Sequence, residues 1–421
     1  MSTVYLARCP DYKAEIIQEC VRTAAKALGI TWPQRQRVFL KPNCVWAHPK
    51  YAPSAYTHPE VLRAVARLLH DNEIILGEHG LIGFPTNLSF SKAGYTELAK
   101  KEGFRLLPID EAVTQPISFS RGVIHTEIRL PREFVTADFR VALPKLKTSV
   151  YTGFTAAVKL NLGLLQSEEM GFQHYKLADK LVDLLELPHP DLIIVDAIHV
   201  GEGGSSLTCR PRPVGALIIG TDPLAVDVVC AQAFGLNPGE VEYLRLAAER
   251  GYGSIDPASI EIIGDLSLTE LMEAGAIIDR PDVDLGNVKL PPHVRVVKGE
   301  PYYPTGTAGA LRELFYILEQ SNVALKGARE TTLVIGRVDE ELIGQTDTSA
   351  LVLLGNSAHV SRYRGFGRVV RLKGTSLSTR ELLDNLPFIM KIENPRDEFL
   401  GELGLASVRS VFGRLQRRIG A

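Results

Sequence analysis

The alternation of strand and helix patterns over the first 264 residues is the feature that most restricts the fold of this chain. Short apolar runs at residues 37–40 and 73–76 alternate with amphipathic helix patterns such as residues 13–28. Thr57 is the predicted N-cap of a second helix, because a proline and a glutamate follow it in first-turn positions. This rhythm, with polar loops after the strands, predicts an α/β fold with a largely parallel sheet flanked by helices.

The pattern divides the 421 residues into two predicted domains. Residues 1–300 form the main α/β domain, and its last part, residues 281–300, is rich in Pro and Asp and resembles a linker. Residues 301–421 form a small C-terminal α/β domain. Its predicted helices and strands are a helix at 307–320, strands at 332–336, 350–355 and 368–374, and helices at 377–386 and 398–418.

Composition and charge exclude several classes of partner. The formal net charge of −2 gives no overall field that would attract nucleic acid or an anionic membrane. No apolar run reaches the about 18 residues of a membrane helix, and the start of the chain lacks the pattern of a signal peptide. The five cysteines are irregularly spaced and form no CxxC, which is typical of a reducing compartment. We therefore expect a cytoplasmic protein with no nucleic-acid or membrane partner.

Residues 144–165 carry a dense set of polar side chains on an apolar frame. Ammonium groups and hydroxyls are costly to bury without an anionic partner. Residues 151–165 predict a helix, in which Thr152, Thr155 and Lys159 would share one face. A surface helix with solvated lysines is the alternative. The pattern favours a site for a small anion, formed by Lys145, Lys147, Thr148, Thr152, Thr155, Lys159 and Asn161.

Polar residues also follow two earlier strands, where ligands bind in open parallel sheets. Lys41 and Asn43 flank a proline after the strand at 37–40, and His58 lies further along the chain, so all three are candidate ligand-binding residues. Glu78 and His79 follow the strand at 73–76 and could form an acid/base pair or bind a metal. Solvated side chains and caps are the alternatives for each of them.

The second half of the chain adds three carboxylates. Asp196 ends an apolar strand, and Glu202 lies in a glycine-rich loop that could bind a metal or a phosphate. This loop lacks the spacing of a nucleotide-binding motif. Asp222 is an expected N-cap before a proline, whereas Asp227 lies inside an apolar helix and needs a cation, for which the lysines are the candidates. A structural ion pair and a functional carboxylate both remain open for Asp227.

Several of these segments together resemble the family called domain of unknown function 362, from about residue 38 to residue 264. The resemblance rests on LKPN at 40–43, LPKLKT at 143–148, TGFT at 152–155 and GTDPLAVD at 220–227. It implies an α/β fold and a shared site, but no reaction. The chain departs from the family at Ser149, where a histidine is frequent, and at Leu160, where an asparagine is usual.

Iron–sulfur ligation is not expected, although many relatives carry ferredoxin-type cysteine clusters. This chain has no cysteine beyond residue 230, and GNSAH at 355–359 and LKGTSLS at 372–378 occupy the segments in which such cysteines would stand.

Three functional hypotheses follow, and the sequence leaves open whether the protein is an enzyme. In the first, a small carboxylate or phosphate is bound by the lysines and threonines, with Glu78, Lys147 and Asp227 as catalytic groups. In the second, the chain is a metal-dependent enzyme distantly similar to lactate racemase-type proteins, with a divalent metal on His79, Asp196 and Glu202. In the third, it is a non-catalytic scaffold that forms a homodimer through residues 301–421. The cofactor is unknown.

Overall fold

The chain forms two compact units in this structure, a computed structural model. One is built mainly from residues 1–170 and 178–281, and the other mainly from residues 171–177 and 282–403. Among the described residues, no helix is long and apolar enough to cross a membrane. The structure describes residues 2–48, 52–81, 85–166, 174–203, 209–280, 285, 290, 292–302, 305–320, 328–339, 350–361 and 366–394.

The first unit is organised around one large sheet. Its strands and an accompanying hairpin are β1 (Ser2–Arg8), β2 (Arg37–Pro42), β3 (Glu73–Glu78), β4 (Arg105–Pro108), β5 (Thr114–Ser118), β6 (Glu127–Pro131), β7 (Phe139–Leu143), β8 (Lys145–Ser149), β9 (Gly153–Thr155), β10 (Leu192–Glu202), β11 (Arg210–Gly220) and β12 (Ile260–Gly264). The main order is β4–β3–β2–β7–β10–β11–β1–β12, and β5 and β6 form a separate antiparallel pair. Only β11 runs antiparallel to its neighbours along this order.

Helices cover this sheet and bury their apolar faces on it. In the first helix, for example, Ile17, Val21 and Ala24 lie in the core with Leu40 and Leu76 of the sheet. The helices are α1 (Ala14–Ala27), α2 (Pro59–Leu68), α3 (Thr86–Lys92), α4 (Tyr95–Glu102), α5 (Arg132–Val135), α6 (Ala157–Leu160), α7 (Leu177–Asp183), α8 (Pro223–Ala233), α9 (Glu242–Glu249) and α10 (Leu268–Gly275), with 3₁₀ turns at Ile109–Glu111, Asn161–Leu164, Leu184–Glu186, Pro238–Glu240 and Pro257–Ser259. The predicted fold class, a largely parallel sheet flanked by helices, is confirmed.

The second unit is a small α/β fold with its own core, which includes Leu314, Leu333, Val352 and Leu386. Its four-stranded sheet is parallel throughout, in the order β13–β14–β16–β18. Its elements are β13 (Val294–Lys298), β14 (Thr331–Ile335), β15 (Arg337–Val338), β16 (Ala350–Leu354), β17 (His359–Val360), β18 (Val369–Leu372), α11 (Thr307–Gln320) and α12 (Thr379–Met390). The expected linker at 281–300 therefore contributes a strand, and the helix predicted at 398–418 lies outside the described residues.

The prediction of a helix over residues 151–165 is wrong. Strand β8 turns back through Gly153, which has a left-handed φ of +79°, and pairs with β9 as an antiparallel hairpin. Only a single α-helical turn, α6, and a 3₁₀ turn follow it. The backbone of residues 153–155 makes ladder hydrogen bonds in place of helical ones, so Thr152, Thr155 and Lys159 do not share a helix face.

The N-cap of α2 is also one residue later than predicted. The Nδ1 atom of His58 accepts the backbone N–H of Glu60 at 3.2 Å and caps the helix. Thr57 instead donates its hydroxyl to the Leu143 carbonyl at 2.6 Å and accepts the Asn43 backbone N–H at 3.0 Å. Thr57 thereby ties the carboxyl ends of β2 and β7 together, next to the site described below.

Candidate functional site

Three lysines lie buried at the carboxyl edge of the parallel strands. Lys41 is on β2, and Lys145 and Lys147 are on β8, which continues the path of β7 after Pro144; their exposed fractions are 4%, 2% and 1%. Lys145 is in register with Asp196 of β10, and Lys147 with Gly201. The strand order therefore brings together lysines that are more than a hundred residues apart in the sequence.

The ammonium group of Lys41 is neutralised by Glu78. Its Nζ atom donates to Glu78 Oε2 at 2.8 Å and to the Pro42 carbonyl at 2.9 Å. The Glu78 carboxylate also accepts the backbone N–H groups of Cys44 and His79 at 2.9 and 2.8 Å. Burial lowers the pKa of Lys41 and raises that of Glu78, and the mutual attraction of the pair opposes both shifts. The pair is thus fully coordinated within the protein.

The ammonium group of Lys145 is neutralised by Asp196. The Nζ atom lies 3.0 Å from Asp196 Oδ2 and donates to the Tyr12 hydroxyl at 2.8 Å. That hydroxyl donates in turn to Asp196 Oδ1 at 2.8 Å and accepts the His199 backbone N–H at 3.1 Å. Burial lowers the pKa of Lys145, and Asp196 opposes this shift. The second lysine therefore also has a carboxylate and a hydrogen-bonded network around it.

His58 covers this second pair. Its ring stacks on the Tyr12 ring with centroids 3.7 Å apart, and its backbone N–H donates to Asp196 Oδ2 at 3.0 Å. Burial lowers the pKa of His58 to about 4, and Lys145 adds to this effect while Asp196 opposes it. His58 is therefore neutral near pH 7, and its Nδ1 atom is free to act as the acceptor that caps α2.

Lys147 differs from both, because no carboxylate faces it. Its Nζ atom donates to the Ala55 carbonyl at 2.5 Å and makes no ion pair with any described residue. Burial lowers its pKa, and Cys209 and Glu78 oppose this shift only in part. Gly201 permits this packing, since a Cβ atom there would lie 2.7 Å from the Lys147 Cβ. A buried ammonium group with one neutral acceptor is an incomplete arrangement.

Two of the remaining predicted ligand-binding residues, Thr152 and Lys159, form a second group with Ser149 at the β8–β9 turn. Ser149 Oγ accepts Lys159 Nζ at 3.0 Å and is hydrogen-bonded to the Thr152 hydroxyl at 3.1 Å. The ammonium of Lys159 also lies over the Tyr151 ring, 5.3 Å from its centroid. Ser149 is thus the centre of this group.

Three predicted ligand-binding side chains are directed elsewhere. The Thr155 hydroxyl donates to the Lys145 carbonyl at 3.3 Å, and the Asn161 amide donates to the Leu184 carbonyl at 3.4 Å. Thr148 alternates with Lys147 along β8, so its side chain leaves the opposite face of the strand. These three contribute to the hairpin and its packing rather than to the lysine cluster.

Asn43 remains at the edge of the cluster, two residues after Lys41. Its side-chain oxygen is buried and accepts no hydrogen bond from the described residues. Buried polar atoms usually have a partner. In addition to Lys147, Asn43 Oδ1 is therefore a second buried group whose hydrogen-bonding capacity is not fully used by the described residues.

The predicted metal ligands are not brought together. His79 Nδ1 lies against the Gly80 carbonyl at 2.5 Å, Asp196 pairs with Lys145, and Glu202 makes a bidentate ion pair with Arg212 at 2.7 and 2.9 Å. No group of three or more His, Cys, Asp or Glu side chains suited to a metal ion occurs in the part of the chain that the structure describes.

Asp227 does not pair with a lysine, contrary to the prediction. Its carboxylate accepts the backbone N–H groups of Ala157 and Val158 at 2.6 and 3.2 Å and the Tyr243 hydroxyl at 2.8 Å. Burial raises its pKa to about 7, and these hydrogen bonds oppose the shift. Two backbone N–H groups at the start of α6 and the Tyr243 hydroxyl of α9 replace the expected cation.

Tyr12 is the residue that sequence reasoning missed. It lies in the loop after β1, and 133 residues separate it from Lys145, to which it is hydrogen-bonded. Its position after the carboxyl end of a sheet strand was the available signal, because polar residues there converge with those of neighbouring strands.

Comparison with known proteins confirms the resemblance noted in the sequence. Residues 38–232 match the family described as Domain of unknown function (DUF362). A thylakoid-associated protein of Synechocystis sp. is 28% identical over 287 residues, which cover 63% of this chain and 84% of that protein.

Two solved structures share lower similarity. The lactate racemase apoprotein from Thermoanaerobacterium thermosaccharolyticum aligns with a TM-score of 0.34 and 12% identity over 80% of this chain and 69% of that one. A protein from Thermotoga maritima aligns with a TM-score of 0.31 and 13% identity, over 56% and 59% of the two chains.

Proposed function

We propose that this chain, which carries a DUF362 domain over residues 38–232, binds a small carboxylate or phosphate at Lys147. The observation that carries the proposal is the charge balance of the lysine cluster. Lys41 and Lys145 each face one carboxylate, whereas the Ala55 carbonyl is the one hydrogen-bond acceptor of Lys147 among the described residues. With all these groups ionised, the cluster holds one positive charge more than its carboxylates neutralise, and a bound anion would neutralise it.

The surroundings of Lys147 strengthen its attraction for an anion. Charges interact more strongly where water is excluded, because the effective dielectric constant is low. The neighbouring pairs are rigid, since Glu78 and Asp196 each accept at least three hydrogen bonds or ion-pair contacts. A ligand would therefore meet a preorganised site and would not compete with a flexible protein carboxylate for the ammonium group.

The same lysine is the group best suited to move a proton. Burial lowers the pKa of Lys147, which brings its neutral form closer to physiological pH. Glu78 and Asp227, the other proposed catalytic groups, are held by the donors described above. We propose that Lys147 is the acid or base of any reaction on the bound ligand, and that Glu78 holds Lys41 in place.

A thermal-shift screen tests the binding. The full chain is incubated with acetate, succinate or inorganic phosphate, with acetamide and glycerol as neutral controls. At least one anion should raise the melting temperature of the natural protein and of Lys101→Met, a control that removes an exposed lysine. The same anion should raise the melting temperature of Lys147→Met and Lys147→Gln less than that of the natural protein. The proposal fails if no anion shifts the natural protein, or if both Lys147 variants respond as it does.

The cytoplasmic location is also a proposal. All five cysteines are free thiols, four of them buried, as is usual in reducing compartments. Fractionation of cells that express the tagged full chain should recover it in the soluble cytoplasmic fraction. Recovery with membranes, the behaviour named for its thylakoid-associated relative, would contradict this location.

A further inference from the structure

A polar cavity of about 540 Å³ lies in the second unit, at the carboxyl ends of its parallel strands. Strands β14, β16 and β18 each continue directly into residues that line it, which is where ligands bind in sheets of this type. Ala358 is the one apolar residue among the described lining residues. The polar lining residues are Arg337, Asn356, Ser357, His359, Arg371 and Lys373.

Three cationic side chains therefore line the same cavity. None of Arg337, Arg371 and Lys373 makes an ion pair with a described residue, and no carboxylate is among the described residues that line the cavity. The surface of this chain elsewhere offers many such pairs, for example Arg37 with Asp138 and Arg245 with Glu249. Like charges that converge without a counter-charge repel one another, so this arrangement disfavours the empty cavity and favours an anionic ligand.

The cavity wall is ordered by hydrogen bonds that do not involve the free ends of Arg337 and Lys373. The Arg371 guanidinium donates to the carbonyls of Gly355 and Ala358 at 3.3 and 2.7 Å, which fixes its orientation. Asn356 and Gly374 exchange two further bonds, since Asn356 N–H donates to the Gly374 carbonyl at 2.8 Å and Asn356 Oδ1 accepts the Gly374 N–H at 3.1 Å. The loops after β16 and β18 are thus hydrogen-bonded to each other next to the cationic side chains.

We infer that this cavity binds the phosphate group of a small phosphorylated compound. Guanidinium groups match the oxygens of a phosphate in pairs, and Ser357 supplies a hydroxyl donor. Six of the seven described lining residues carry polar or charged groups that could bind a phosphate, and the volume is that of a small-molecule site. The inference goes beyond the proposed function, because the cavity lies in the second unit and shares no residue with the lysine cluster.

Titration calorimetry of the full chain tests the inference, with inorganic phosphate, pyrophosphate and glycerol 1-phosphate as probes and glycerol as the neutral control. The titrations use both the natural protein and Lys147→Met, in which the first site is removed. At least one phosphate probe should bind Lys147→Met, and the natural protein should show a site of the same affinity. Arg337→Gln and Lys373→Gln should each weaken this binding by about tenfold, the loss expected for one charge-assisted hydrogen bond.

Both substituted side chains are exposed and make no side-chain hydrogen bond with described residues, so the variants should fold as the natural protein does. Lys391→Gln, which removes one charge from α12's C-terminal end, should leave the affinity unchanged. The inference is overturned if no phosphate probe binds Lys147→Met, or if Lys391→Gln weakens binding as much as the two cavity variants. Binding to phosphatidic acid vesicles alone, with no free phosphate bound, would also overturn it.

Discussion

Lys41, Lys145 and Lys147 are equally buried but differ in what faces each ammonium group. Glu78 faces Lys41, and Asp196 and Tyr12 face Lys145. In the described part of the chain, the ammonium group of Lys147 has the Ala55 carbonyl as its acceptor and no carboxylate. The cost of burying a charge depends on its partners more than on depth, so these lysines should respond differently to substitution.

Replacement of each lysine by methionine, which keeps most of its volume, measures this difference. Lys41→Met should lower the free energy of unfolding by about 3–5 kcal/mol, because it leaves the buried Glu78 carboxylate without a cation. Lys147→Met should raise it by about 1–3 kcal/mol in the absence of ligand, because an incompletely paired buried charge disappears. Urea unfolding at pH 7 gives both values. A loss for Lys147→Met as large as that for Lys41→Met would show that Lys147 has a structural role.

Gly163 is a test of how tightly the Lys41–Glu78 pair is enclosed. A Cβ atom there would lie 2.0 Å from Glu78 Oε1 and 2.7 Å from Lys41 Nζ. Gly163→Ala should therefore force the pair apart and lower the free energy of unfolding by about 1–3 kcal/mol or more. Gly239→Ala is the matched control, because its nearest neighbour would be at 3.4 Å. Equal denaturation midpoints for the two variants would contradict the described packing.

At this scale the sequence identified residue types better than partners. The cost of buried ammonium groups pointed to Lys145 and Lys147, and the strand-end position pointed to Lys41. Tyr12 was missed although it follows a sheet strand, because the lysine that it contacts, Lys145, lies 133 residues away in the sequence. The prediction that a lysine pairs with Asp227 was also wrong. The backbone N–H groups at the start of a distant helix, which bind Asp227 instead, leave no pattern in the sequence.

The β8–β9 hairpin is the element that most changes the view of the site. Residues 156–160 have the composition of a helix, and the prediction extended that helix back to residue 151. The pairing of β8 with β10 and the left-handed turn at Gly153 override this preference. Local propensity is a weak guide where long-range strand pairing competes with it. The apolar run before Asp196 was recognised as a strand, but β10 continues past Asp196 to Glu202, which was expected in a loop.

Asp227 connects the single-turn helix α6 to the rest of the fold and should make stability depend on pH. Its pKa is raised by burial to about 7, above its value in the unfolded chain, so the folded state holds a proton that the unfolded state has released. This contribution is complete at low pH and is lost as the pH rises through about 7.

The neutral variant Asp227→Asn should therefore gain stability relative to the natural protein as the pH rises from about 5 to about 8. Urea midpoints of both proteins across this range measure the change. A constant difference between the two proteins would contradict a raised pKa. Asp227→Ala, which removes the acceptor for α6, should be less stable than Asp227→Asn at every pH.

At the scale of the whole molecule, the sequence patterns predicted the two folds better than the boundary between them. Alternating strands and helices predicted the main sheet, and the restart of the pattern after residue 300 predicted the small α/β fold. The boundary itself was harder to place, because β13 lies within a Pro- and Asp-rich segment whose strand character appears only in its pairing with β14. Each unit has a core of its own.

Calorimetry of the full chain should therefore show two unfolding transitions. Lys147→Met should move only the transition of the first unit upward, and pyrophosphate added to that variant should move only the transition of the second unit. These responses are expected because each change affects side chains of one unit only. A single cooperative transition that both changes shift together would contradict the independence of the units.

The pKa of Lys147 tests the central claim most directly. The full chain is labelled with ¹³C-lysine, the Lys147 resonance is assigned by its loss in Lys147→Gln, and the titration is followed by NMR with and without the anion found in the screen. The Arg337→Gln, Lys373→Gln double variant serves as the background, so that only the first site binds. Anion affinity should fall as the pH rises through the lowered pKa, since only the ammonium form attracts the ligand. The account predicts a pKa below the ordinary lysine value in the free protein and a higher one in the complex. An ordinary pKa that no anion changes would contradict it.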